Sequence, residues 1–136
     1  MLQIRDKEKL FFVSFMQTKL KMRNFRQLDV WKESLLLVKS VYETTAHFPG
    51  TEKYGLVSQM NRSVISIPSN IAEGCSRKTS LEFSRFLEIA IGSSFELESQ
   101  IEISYMIHLI SPECYTLLVK ELHILQKRLN KLKGCI

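Results

Sequence analysis

Glycine and proline are scarce, five and three in 136 residues. Hairpins depend on those residue types, so a many-stranded sandwich or barrel is excluded as the expectation. Cysteine is limited to Cys75, Cys114 and Cys135. They lie far apart, without a C-x-x-C spacing or a neighbouring histidine pair. An odd, unspaced set argues against a disulfide framework and for free thiols in a reducing, cytoplasmic compartment. No apolar run approaches the ~20 residues that span a bilayer, so no membrane partner is expected.

Catalytic and ligand-binding patterns are missing as well. The chain holds no G-x-x-x-x-G-K-[ST], G-x-G-x-x-G or H-E-x-x-H. His47, His108 and His123 are isolated, each assigned to a different predicted helix. Glu96 and Glu98 are two apart and point to different faces of a helix. Glu98 and Glu102 share a face, but no E-x-x-H accompanies them to build a carboxylate-bridged metal site. No catalytic residue, metal or cofactor is assigned, and the expectation is a protein without enzymatic activity.

What is present is ordinary globular material, 45% hydrophobic and 24% charged, enough for one core in one domain. The net charge is +5, unevenly spread. Residues 1–26 carry seven basic groups against two acidic ones, while the remaining 110 are balanced at twelve of each sign. The last turns are basic again, with Lys127, Arg128, Lys131 and Lys133. Cations at two chain ends are most simply read as solvated tails. The run Leu10–Met16 superficially resembles a signal-peptide core. It is short, Asp6 and Glu8 interrupt the basic segment before it, and no small-residue cleavage site follows. Met22 opens a better-patterned segment, so residues 1–21 read as an extension that is non-native or disordered, and 22–136 as the folded domain.

Four segments repeat apolar residues at spacings of three and four, the period of a helix against a core. The first carries Leu28, Trp31, Leu35, Val38, Tyr42 and Thr45 and stops at Pro49-Gly50. The second carries Val57, Met60, Val64, Ile67 and Ile71 and stops at Gly74. The third opens on a capping box, Thr79 to Glu82, and carries Phe83, Phe86, Ala90, Ser93, Leu97 and Ile101. It is read as about 30 residues long, ~45 Å, with Leu87, Ile91, Phe95 and Ile103 off the main stripe. A helix apolar on more than one face is shared with neighbours, so self-association is expected. The fourth opens on Ser111-Pro112 and carries Tyr115, Leu118, Leu122, Leu125, Leu129 and Leu132. Short connections near 49–55, 74–79 and 110–111 make consecutive helices antiparallel. The expected fold is all-α, an antiparallel up-down four-helix bundle.

Two features invite a functional reading. Pro68 sits inside the second helix, where it removes a hydrogen bond and crowds the Val64 carbonyl. Small residues nearby, Ser66, Ser69 and Gly74 with Gly92 and Ser93 opposite, allow a kinked, close helix pair whose serines bond the freed carbonyl. Asn70 and Glu73 join Arg85, Glu96, Glu98 and Gln100 as a polar set that fixes register. The second feature is cationic: Arg62, Arg77, Lys78 and Arg85, with Lys127, Arg128 and Lys131, are candidate phosphate contacts.

From Met22 onward the chain resembles the 23S rRNA intervening-sequence protein family, also called the four-helix bundle protein family. The resemblance is carried by Phe25–Trp31, Glu52–Leu56, the stretch Ser66 to Gly74, Phe83–Leu87, Gly92-Ser93 and Glu96–Glu98. It implies a bacterial helical bundle without catalytic activity, assembling into a homopentameric barrel. Accessory variability proteins of diversity-generating retroelements are similar, and that similarity implies RNA or DNA and a reverse transcriptase as partners. Departures from the family pattern are Asn61, where a basic residue is usual, and Cys75, where an aromatic is usual. Two functions are therefore expected in competition, nucleic-acid binding by a homo-oligomer or a protein-interaction scaffold without nucleic-acid affinity.

Overall fold

The computed structural model describes residues 6–9 and 23–136, and residues 6–9 are helical and exposed. The rest of the 1–21 extension lies outside the described residues. Among those described there is no strand. After a 3-10 turn at Phe25–Gln27, four helices follow: α1 Asp29–Thr45, α2 Leu56–Cys75, α3 Ser80–Met106 and α4 Pro112–Gly134. A second 3-10 turn, Gly50–Glu52, lies between α1 and α2.

Local chemistry sets the ends. Thr79 Oγ1 accepts from the Glu82 amide at 3.2 Å, half of the anticipated capping box. Ser111 Oγ accepts from the Cys114 amide at 3.1 Å, and Pro112 takes the first turn of α4. Glu52 Oε2 accepts from the Leu56 amide at 3.2 Å and serves the start of α2. The third helix is 27 residues rather than about 30 because His108 turns left-handed, φ 64°. Its amide donates to Tyr105 O at 3.1 Å and that of Leu109 to Ser104 O at 2.8 Å. This is a Schellman end with histidine where glycine is usual. A left-handed L-residue costs roughly 1–2 kcal/mol, so His108→Gly is expected to raise stability by about 1 kcal/mol in urea denaturation.

Cross-helix bonds show the topology. Ser104 and Met60 (3.4 Å), Ser63 and Gln100 (2.9 Å), and Ser66 and Ser93 (2.8 Å) descend one helix as they ascend the other. Glu98 with Gln126 (2.9 Å) and Glu88 with Lys133 (2.9 Å) do the same for α3 and α4. Ser40 with Glu121 (3.3 Å) and Glu33 with Arg128 close α4 onto α1. Thr45 Oγ1 donates to Asn61 Oδ1 at 3.0 Å between α1 and α2. The helices thus form a closed, antiparallel ring around one core, with the α2–α3 contact the most extensive.

The core corrects two stripes. On α1 the buried face is Val30, Ser34, Leu37, Val41 and Thr45. The bulkier stripe expected inside flanks it, with Trp31 and Val38 half-buried and Leu35 and Tyr42 exposed. Ser34 is tolerated inside because its hydroxyl donates to Trp31 O at 2.6 Å. On α3, Leu87 and Ile91 belong to the core, whereas Phe95 and Ile103 are exposed. The buried arc of α3 must meet α2 on one flank and α4 on the other, so it is wider than a single seam.

Candidate functional site

Antiparallel topology sorts charge along the bundle. The first halves of α1 and α3 and the last halves of α2 and α4 meet at one end, together with the 76–79 connection. Between residues 23 and 136 that end holds ten basic side chains: Arg23, Arg26 and Lys32; Arg77, Lys78 and Arg85; Lys127, Arg128, Lys131 and Lys133. Against them stand five acids, Asp29, Glu33, Glu73, Glu82 and Glu88. The opposite half holds four basic groups, Lys39, Lys53, Arg62 and Lys120, against seven glutamates.

Six of the seven anticipated phosphate contacts share the basic end. Lys78, Arg85, Lys127 and Lys131 are exposed there. Arg77 is held by Glu73 Oε1 at 3.1 Å and lies 4.8 Å over the Phe86 ring. Arg128 is paired with Glu33, whose second carboxylate oxygen is buried without a partner among the described residues. The structure sets Arg62 apart, exposed on the other half of α2 and ~22 Å along the axis from Arg77 at 1.5 Å per residue.

The small-residue motif separates in the same way. Helix α2 continues through the buried Pro68. Ser66 Oγ meets Ser93 Oγ at 2.8 Å, and Asn70 Nδ2 donates to Ser66 O at 2.7 Å and to its hydroxyl at 3.0 Å. Among the described residues no side chain donates to the Val64 carbonyl, a correction to the expected rescue. Serine hydroxyls in a helix bond nearest neighbours on their own face, and here the facing partner is Ser93. Likewise Asn70 pairs with Ser66 rather than with a charged residue. Glu98 turns away to α4, where it accepts from Gln126 Nε2 at 2.9 Å and pairs with His123 at 3.2 Å. Gly74 is buried at close quarters with Phe83 and Phe86, whereas Gly92 faces open space and Ser69 and Glu73 are exposed. Asn61, read as a lost basic contact, serves as the acceptor that ties α2 to α1.

Two arginines of the basic end went unread in sequence because they were counted with the tail. Arg23 Nη1 donates to the backbone carbonyl of Arg77. The Arg26 guanidinium lies 5.4 Å from the Phe25 ring centre and 6.0 Å from that of Trp31, the two rings meeting edge to face at 5.1 Å. The signal available was the aromatic and basic alternation of Phe25-Arg26 before Trp31.

His47 and His108 lie in connections rather than on helices, and His123 is on α4. Among the described residues no group of three His, Cys, Asp or Glu is arranged to hold a metal, and no helix is long and apolar enough to cross a membrane. The free thiols differ sharply. Burial pushes Cys75 up to about 11 from an ordinary 9.0, with Arg23 opposing weakly. The folded state therefore holds this proton more tightly, and its contribution to stability fades as pH rises from 9 towards 11. At neutral pH alkylation is expected at exposed Cys135 and not at Cys75 until the protein unfolds, as peptide mass mapping can check.

The class these features define is an all-helical bundle with a strongly basic end. Residues 26–131 match the model of the 23S rRNA-intervening sequence protein family, and the chain belongs to that family. Among solved structures it is similar to a protein of unknown function from the S23 ribosomal protein family of Bacteroides thetaiotaomicron VPI-5482. That likeness has a TM-score of 0.69 at 22% identity, over 76% of this chain and 97% of the other, and shows the shared fold. Comparison with functionally curated proteins gives no match.

Proposed function

We propose that this chain is a non-catalytic, self-associating bundle that binds nucleic acid through its basic end. The observation that carries the reading is the sorting of charge, ten cations against five acids at one end of a domain that is otherwise acidic. A phosphate backbone gains from such a concentration by releasing its counterions. Self-association is supported by large apolar side chains on outward faces, Leu36, Phe95 and Leu117, all more than half exposed. By the family resemblance the assembly is a pentamer, and light scattering should then return five times 15.8 kDa.

Binding of a labelled structured RNA and of a duplex DNA across a salt series tests the reading. Replacing Arg85, Lys127 and Lys131 together by alanine is expected to lower the slope of log affinity against log salt by about three, near ~0.9 for each lost phosphate contact. Arg62→Ala, on the far half, is expected to change affinity less than about twofold by the same argument. No affinity at low salt by a well-formed oligomer would sink the proposal and favour a protein-interaction scaffold, with a reverse transcriptase among the partners to try.

A further inference from the structure

Arginine at the basic end is arranged for more than charge. Both arginine–aromatic stacks among the described residues lie there, Arg26 over Phe25 and Trp31, and Arg77 over Phe86. The two belong to segments far apart in sequence, the turn before α1 and the 76–79 connection, and Arg23 joins them through the Arg77 carbonyl. Glu73 also pairs with Arg77 at 3.1 Å, which limits the freedom of its guanidinium beside the Phe86 ring. Each guanidinium carbon thus lies 6.0 Å or less from an aromatic ring centre, and both arginines reach solvent, Arg26 being exposed and the Arg77 side chain 42% exposed.

Phosphate alone does not call for this arrangement. A lysine ammonium neutralises a phosphate as a point charge, and Lys78, Lys127 and Lys131 are exposed at the same end for that role. A planar guanidinium backed by a ring offers instead a cationic shelf of the size of a nucleobase. Bases stack on arginine planes and aromatic faces when they are unpaired, whereas a duplex keeps its base faces inside the stack. We infer that the Arg26–Trp31 and Arg77–Phe86 pairs form a platform for unpaired bases, so that the nucleic acid taken by this end is single-stranded. The inference rests on the nucleic-acid reading above and names its ligand class.

Trp31 is the only tryptophan in the chain, so the platform carries its own reporter. With the full-length protein at low salt, short oligothymidylate and oligouridylate strands are titrated against Trp31 emission. An abasic strand and a duplex of equal length are measured alongside by competition. Base-bearing strands are expected to quench Trp31 and to bind about tenfold more tightly than the abasic strand, the scale of one stacked base. The ratio of the two base-bearing strands separates RNA from DNA as the source. Arg26→Lys combined with Arg77→Lys keeps the charge and removes the planes. That variant is expected to lose the tenfold margin of base-bearing over abasic strands. Equal affinity for abasic and base-bearing strands, or a preference for duplex, overturns the inference and leaves the nucleic-acid reading standing. Failure of every probe to bind removes both.

Discussion

Gly74→Val is expected to lower the stability of the bundle by about 3 kcal/mol, at the upper end of what overpacking a core costs. A Cβ at position 74 falls 2.8 Å from the Phe86 Cβ and 2.9 Å from Phe83 Cδ2. Neither neighbour can yield easily, because the first is anchored to the α3 backbone and the ring of Phe83 is itself buried. Relief requires moving α2 away from α3 along the most extensive contact among the described helices. Gly74→Ala meets the same atoms but gains up to ~1 kcal/mol of helix propensity, so a smaller loss, about 1–2 kcal/mol, is expected. Gly92 supplies the control. Nothing lies within 4 Å of a Cβ there, and Gly92→Ala should raise stability by about 0.5–1 kcal/mol. Urea denaturation with an unchanged m-value reads all three. A destabilised Gly92→Ala together with a neutral Gly74→Val would mean that α2 and α3 do not approach as described.

Leu37→Ala is expected to cost about 3 kcal/mol and Leu35→Ala less than about 0.5 kcal/mol, though the two lie on one helix two residues apart. Leu37 is 2% exposed and Leu35 41%. Truncating the first leaves a cavity among residues that cannot collapse onto it, while truncating the second trims a side chain already in contact with water. The opposite ranking, measured by thermal or urea unfolding of the two variants, would put the bulky stripe of α1 inside and reverse the helix. Under the proposed self-association the Leu35 truncation is best measured at low protein concentration, where association would add least to apparent stability.

That pair of leucines also marks the limit of what periodicity conveys. Helix α1 carries two overlapping stripes, and the one rich in Leu, Trp and Tyr is the more hydrophobic. The core instead takes Val30, Ser34, Leu37 and Val41, with Thr45 common to both stripes, and the two buried hydroxyls find acceptors in Trp31 O and Asn61 Oδ1 respectively. A hydrogen bond of that kind cannot be read from spacing. Caps were more legible: Thr79 and Ser111-Pro112 each bond as their local sequence dictates, since capping involves residues only three apart. The end of α3 was not, because its left-handed residue is a histidine and carries no glycine signal.

The candidate site shows the same division. Arg62, Arg77, Lys78 and Arg85 were legible as candidate phosphate contacts and Lys127 to Lys131 as a basic tail, but which of them converge depends on the antiparallel run of the helices. Arg23 and Arg26 were hidden by their place in a basic leader. Packing against Phe25, Trp31 and the 76–79 connection makes them part of the folded end. The serine, asparagine and glycine motif was legible as a close helix contact. The partners within it were not, because which hydroxyl faces which depends on the rotation of two helices about their axes.

Within residues 23–136, ten cations against five acids at one end and four against seven at the other also give the described domain an electric dipole along its long axis. In the field of a polyanion such a body turns before it touches, the basic end leading and the acidic end repelled. Collisions at a random orientation become end-on arrivals, and the association rate should rise steeply as ionic strength falls. Side by side, two such bodies attract when their axes oppose and repel when they align. In the proposed oligomer, aligned copies would repel along a shared basic rim, and a bound strand of opposite charge would relieve that repulsion.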